Sequence, residues 1–95
     1  MFGLDEKTLK IIDIILNGND KIKKRVIFGS RATGKYKKNS DIDIALFGNL
    51  NFRDISFLKG EFEESDCIYK VDVVHYESLE NDKLKENIDK EGIEF

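Results

Sequence analysis

The sequence predicts a small α+β fold, on three observations. Apolar residues recur at helical spacing in two long segments, Asp5 to Leu16 and Phe52 to Glu64. Short runs rich in Val, Ile and aromatic residues stand between and after them, and one alternates strictly from Asp41 to Phe47. Polar, glycine-containing stretches separate these runs, giving the order helix, strand, strand, helix, strand, helix. A chain of 95 residues has room for one core, so residues 1–95 are expected to form a single domain.

The first helix carries Leu9, Ile12 and Leu16, with Ile11 and Ile15 beside them, as one apolar stripe, and Asn17-Gly18 ends it. Arg25-Val26-Ile27-Phe28 reads as a buried strand entering a tight turn at Gly29-Ser30, with a helical turn beginning near Arg31. Lys35 to Ser40 is polar and aperiodic, an exposed connection. From Asp41 to Phe47, Asp41, Asp43 and Ala45 share one strand face, while Ile42, Ile44 and Leu46 share the other.

Asn51 is placed to cap the second helix, in which Phe52, Ile55, Leu58 and Phe62 fall near helical spacing. Phe52, Phe57, Leu58 and Phe62 offer more apolar surface than one helix face readily buries, which would mark a dimer or partner contact; core packing is their expected role. Tyr69 to Tyr76 reads as a third strand, with Asp72 and Val74 on one face and Val71 and Val73 on the other. Ser78 is expected to open a last helix that ends near Gly92 and is anchored by Leu79, Leu84 and Ile88.

Composition narrows the function. A formal charge of -3 and a pI near 5.2 count against a polynucleotide partner, because phosphate neutralisation requires a basic surface. Cys67 is the single cysteine, which excludes an internal disulfide and a multi-thiolate metal site and fits a reducing cytoplasm. No apolar run is long enough to span a bilayer, and the first residues lack the pattern of a secretory signal. The thin stability margin of a small core leaves room for homo-oligomerisation or a partner surface.

Asp41 and Asp43, at i and i+2 on a strand, project to the same side and can reach one metal ion or bridge two. Magnesium prefers such oxygen ligands and leaves positions open for substrate phosphates. Gly29 lacks the Cβ that would keep a phosphate from the backbone, and Ser30 adds a hydroxyl. Arg31 and Lys35 lie close in sequence to both turn and carboxylates, where a cation would neutralise charge on a leaving pyrophosphate. Which of the two faces the phosphates is left open. Asp72 stands alone in an apolar strand; a third metal ligand, able also to orient or deprotonate an attacking hydroxyl, accounts for it if its strand neighbours that of Asp41.

Gly29-Ser30-Arg31-Ala32-Thr33-Gly34 followed by Ser40-Asp41-Ile42-Asp43-Ile44-Ala45-Leu46, with the later Asp72, resembles the signature of the DNA polymerase beta nucleotidyltransferase superfamily, in its minimal nucleotidyltransferase (MNT) branch. The resemblance spans nearly the whole chain. It implies a small mixed β-sheet flanked by helices and two Mg2+ ions held by Asp41, Asp43 and Asp72. It further implies nucleotide binding by Gly29, Ser30, Arg31, Lys35 and Ser40, and transfer of AMP from ATP to a hydroxyl. Many small MNT proteins are antitoxins paired with a HEPN ribonuclease toxin, and the better understood ones silence it by adenylylating a tyrosine, so the resemblance implies a HEPN protein as partner and a protein tyrosine as candidate acceptor. Thr33 departs from the pattern, since the family often places a basic residue there. A non-catalytic antitoxin that acts by covering its partner, and a transferase acting on an aminoglycoside or RNA, are the competing readings.

Other residues take plainer roles at this stage. His75, alone at a strand end, reads as structural rather than as a general base, and Cys67 as a packing residue. Lys37 and Lys38 read as solubilising surface.

Overall fold

The structure, a computed structural model, describes residues Met1–Phe95. Helix α1 (Glu6–Asn17) leads through a short turn to β1 (Ile22–Phe28), the single-turn α2 (Ser30–Thr33) and β2 (Ile42–Gly48). Helix α3 (Phe52–Glu64) then crosses to β3 (Val71–His75), and a 3-10 turn (Tyr76–Ser78), α4 (Asp82–Glu91) and β4 (Ile93–Glu94) complete the chain. The four strands form one sheet in the order β3-β2-β1-β4, with β2–β3 parallel and the other pairs antiparallel. It is the small mixed sheet with flanking helices that the sequence resemblance implied.

Side-chain alternation divides the core between the two faces of the sheet. Ile27 of β1, Ile42, Ile44 and Leu46 of β2, and Val73 of β3 pack against Ile12, Ile15 and Leu16 of α1 and Leu58 and Phe62 of α3. On the opposite face Val26, Phe28 and Ala45 meet Ile88 of α4, with Val74 and Phe47 partly buried beside them. Asp43 and Asp72 belong by alternation to this second face. The helices on the first face therefore leave both carboxylates clear.

Local chemistry sets the helix ends. The Asp5 side chain accepts from Thr8 N at 3.1 Å to start α1. Asn51 and Asp54 form a reciprocal capping box at α3, each side chain accepting the other's backbone N–H at 2.9 Å. Lys21 and Asn19 also donate to Asp54, which ties the end of α1 to the start of α3. The carboxyl of Asp54 is held below the usual carboxylate range, chiefly by the Asn51 backbone N–H and then by Lys21.

Several sequence expectations change. Strand β1 starts at Ile22, not Arg25, because Lys23 and Lys24 are exposed strand residues with no apolar alternation, and a register shift between Ile22 and Lys24 breaks the pattern. Strand β3 is shorter than Tyr69 to Tyr76. Ser78 does not open the last helix: its hydroxyl is hydrogen-bonded to His75 Nδ1, Leu79 is extended, and Asn81 caps α4 by accepting from Leu84 N at 3.0 Å. Strand β4 carries no sequence signal; it exists because Ile93 and Glu94 pair with Ile27 and Val26.

Phe52 and Phe57 are not core residues. They are 86% and 69% exposed, whereas Leu58 and Phe62 of the same helix are buried. Replacing Leu58 by Ala is expected to remove about 2–5 kcal/mol of stability, against roughly 0.5 kcal/mol or less for Phe57→Ala. Urea denaturation of the two variants beside the unaltered chain measures that contrast; equal losses would contradict this packing.

Candidate active site

The antiparallel pairing of β1 with β2 sets Phe28, the last residue of β1, opposite Asp43. The next residue, Gly29, has φ 73° and ψ -154°, a conformation that L side chains resist. A Cβ built there would lie 2.6 Å from Asp43 Oδ2. Glycine is thus required twice, by the backbone and by the carboxylate lying against it. Gly34, at φ 81°, closes the single turn of α2 in the left-handed conformation, its N–H donating to Ser30 O.

Parallel pairing of β2 with β3 places Asp43 directly beside Asp72. Both are half-buried, while Asp41 is exposed and lies just before β2. Burial raises the Asp43 carboxyl above its usual pKa of 3.8, and Asp72 and then Asp41 raise it further, with Lys70 opposing them. Lys70 was missed from sequence, although its position two residues before Asp72 is a period-two signal for the same strand side.

The three carboxylates do not close into a ready-made cage: no group of three or more His, Cys, Asp or Glu side chains is gathered closely enough to hold a metal ion. The donor set nonetheless suits magnesium. Hard oxygen ligands from one or two carboxylates, with substrate phosphates completing the shell, are how that ion is commonly held. A divalent cation would also relieve the repulsion that raises the Asp43 pKa.

Arg31 and Lys35, the two cations left open from sequence, separate sharply. Arg31 is 2% exposed and turns inward. Its Nε and Nη2 donate to Ser40 O at 3.1 and 2.8 Å, and its Nη1 donates to Phe2 O at 3.0 Å. The guanidinium lies 5.2 Å from the Tyr36 ring centre and 4.6 Å from that of Tyr69, a double cation–π contact. The expectation that Arg31 grips a phosphate gives way to this buried fork; Lys35, exposed just after Gly34, is the cation left accessible. Ser40 serves the same loop, its Oγ accepting from Lys37 N at 2.8 Å. A cleft of about 600 Å³ opens beside Asp41, lined by Lys38, Asn39, Ile68, Tyr69 and Lys70.

His75 and Cys67, given plainer roles, are each held by local hydrogen bonds. The His75 ring lies at the C-terminal end of β3, with Nε2 at 2.7 Å from Gly48 O and Nδ1 on Ser78 Oγ. Cys67 is half-buried, its Sγ donating to Tyr69 O at 3.5 Å.

The family model for polymerase beta nucleotidyltransferase matches residues 10–95, nearly all of the fold just described. The chain belongs to that family. A Haemophilus influenzae protein described as a probable protein adenylyltransferase, MntA, is 40% identical over 57 residues, 58% of this chain and 50% of that one. The chain thus spans half the length of that curated relative. A toxin–antitoxin crystal structure with AMP-PNP superimposes with a TM-score of 0.74 at 27% identity, over 92% of this chain and 70% of the other. A mutant form of the toxin–antitoxin MntA–HpeT gives 0.72 at 25% identity, over 96% of this chain and 71% of the other. No helix in this family member is long and apolar enough to cross a membrane.

Two measurements test this geometry. Because the folded-state pKa of Asp43 is raised, the native state holds its proton more tightly than the unfolded chain, and this contribution to stability is lost as pH rises through the folded value. In metal-free buffer Asp43→Asn should therefore melt above the unaltered chain at about pH 7, with the difference vanishing near about pH 3, where both side chains are neutral. Gly29→Ala should destabilise by about 1–3 kcal/mol through strain and its clash with Asp43, read by chemical denaturation.

Proposed function

We propose that this chain is a magnesium-dependent adenylyltransferase that moves AMP from ATP to a hydroxyl, namely a tyrosine of a HEPN ribonuclease toxin for which it is the antitoxin. The observation that carries the reading is the in-register pairing of Asp43 with Asp72, directly beside the Gly29 turn. Relatives support it: one bears the name adenylyltransferase, one was crystallised with AMP-PNP, and both structural neighbours are toxin–antitoxins.

Asp41 and Asp43 would hold two Mg2+ ions, with Asp72 as a further ligand. Bound there, the ions would supply charge neutralisation for the triphosphate and the leaving pyrophosphate. Gly29 and Ser30 present backbone N–H groups and a hydroxyl to the phosphates, and Lys35 takes up charge on the leaving group. Asp72 orients the acceptor hydroxyl and accepts its proton as the new O–P bond forms and the bond from the α-phosphorus to pyrophosphate breaks. The raised pKa of its neighbour Asp43 marks how strongly the pair favours added positive charge. We place the reaction in the cytoplasm, where ATP is available and the free thiol of Cys67 stays reduced.

A second reading rests on a separate observation. The exposed rings of Phe52 and Phe57 offer contact surface that requires no catalysis, which fits an antitoxin acting by covering its toxin. Mass spectrometry of a co-expressed HEPN partner with Mg2+ and ATP, using the chain and its Asp41→Asn, Asp43→Asn double variant, separates the two. An adenylate mass added to the partner only by the unaltered chain is the expected outcome. No added mass, in a complex that still silences the partner, would establish the covering mode.

A further inference from the structure

We infer that Arg31 is the positioning residue for Asp41, fixing the peptide on its N-terminal side so that an exposed carboxylate keeps its place near the Asp43–Asp72 pair. The inference rests on the metal-binding role proposed above for these carboxylates.

Asp41 lies outside β2, so the sheet does not set its direction in the way it sets that of Asp43. Its two flanking peptides are nevertheless both held. On the C-terminal side Ile42 N donates to Lys70 O at 2.9 Å. On the N-terminal side the Ser40 carbonyl takes both arms of the Arg31 fork, Nε at 3.1 Å and Nη2 at 2.8 Å. A fork on one oxygen defines orientation as well as distance, which a lysine ammonium does not.

The same guanidinium reaches three other segments. Its Nη1 donates to Phe2 O, its carbon lies over the rings of Tyr36 and Tyr69, and its own backbone lies in α2, directly after the Gly29-Ser30 turn. Tyr69 immediately precedes Lys70, the residue that anchors Ile42. One buried cation therefore locks the phosphate turn, the Asp41 loop and the entry to β3 to a common centre. Burying it is tolerable because three of its N–H groups are hydrogen-bonded and two aromatic rings lie within cation–π distance.

The experiment is a double-mutant cycle read by Mn2+ binding in electron paramagnetic resonance, without nucleotide or acceptor, with melting temperature followed in parallel. Arg31→Lys should weaken Mn2+ binding by roughly 10-fold or more, as is typical when the support of a metal ligand is lost. Added to Asp41→Asn, it should weaken binding no further, because the carboxylate it positions is already gone. If Arg31→Lys folds poorly, Tyr36→Ala, which removes one face of the clamp, should show the same non-additivity to a smaller degree. Full Mn2+ affinity in Arg31→Lys, or an equal loss with and without Asp41, would overturn the inference while leaving the metal site standing. Absence of Mn2+ binding by the unaltered chain would overturn the metal-site reading and this inference with it.

Discussion

The in-register contact between β2 and β3 is the constraint on which the rest of the molecule turns. Parallel pairing sets Asp43 against Asp72, and because side chains alternate with period two, a slip of one residue would move Asp72 toward the apolar helices and Val73 out of the core. That face is specified by Ile42, Ile44 and Leu46 against α1 and α3, so the hydrophobic effect holds two like charges together. The crossover through α3, held at its start by the Asn51–Asp54 capping box and its link to α1, is the connection that parallel strands require. The larger part of the core thereby lies on one side of the sheet and the paired carboxylates on the other, beside a smaller cluster.

Gly29 shows how closely the two are joined. The turn after β1 brings the backbone so near the Asp43 carboxylate that even a methyl group would collide with it. Burial and the neighbouring charges of Asp72 and Asp41 make the ionised Asp43 carboxylate costly there, a cost that a bound cation would relieve. Such a site is destabilising by itself and becomes stabilising when a ligand binds the folded state alone.

What was legible in the sequence was local or periodic. Helix α3 runs from Phe52 to Glu64 as read, because its cap and apolar spacing lie within the segment. The placement of Asp43 with Ala45 and of Asp72 with Val74 followed from alternation, and the adjacency of their strands, first inferred, is present. What failed depended on distant partners. Lys24 becomes a strand residue only because it pairs with Phe47 of β2, Lys23 because it fills the register shift between Ile22 and Lys24, and β4 forms only because β1 offers an edge. Phe52 and Phe57 have the apolar character of core residues, yet α3 turns them to its outer surface. Arg31 looked like a phosphate ligand from its place in the turn; the carbonyls of Phe2 and Ser40 that claim it carry no side-chain signal at all.

The uneven division of the core also governs which part of the molecule breathes. Twelve buried residues lie in the cluster beneath α1 and α3, but only four, with Ile88 as the sole contribution of α4, lie on the opposite face. Local opening free energy follows buried apolar contact, so amide hydrogen exchange in α4 should run ahead of exchange in β1 and β2. The thinly packed face of the sheet is then the one whose helix lifts away from β1 at the lower free-energy cost.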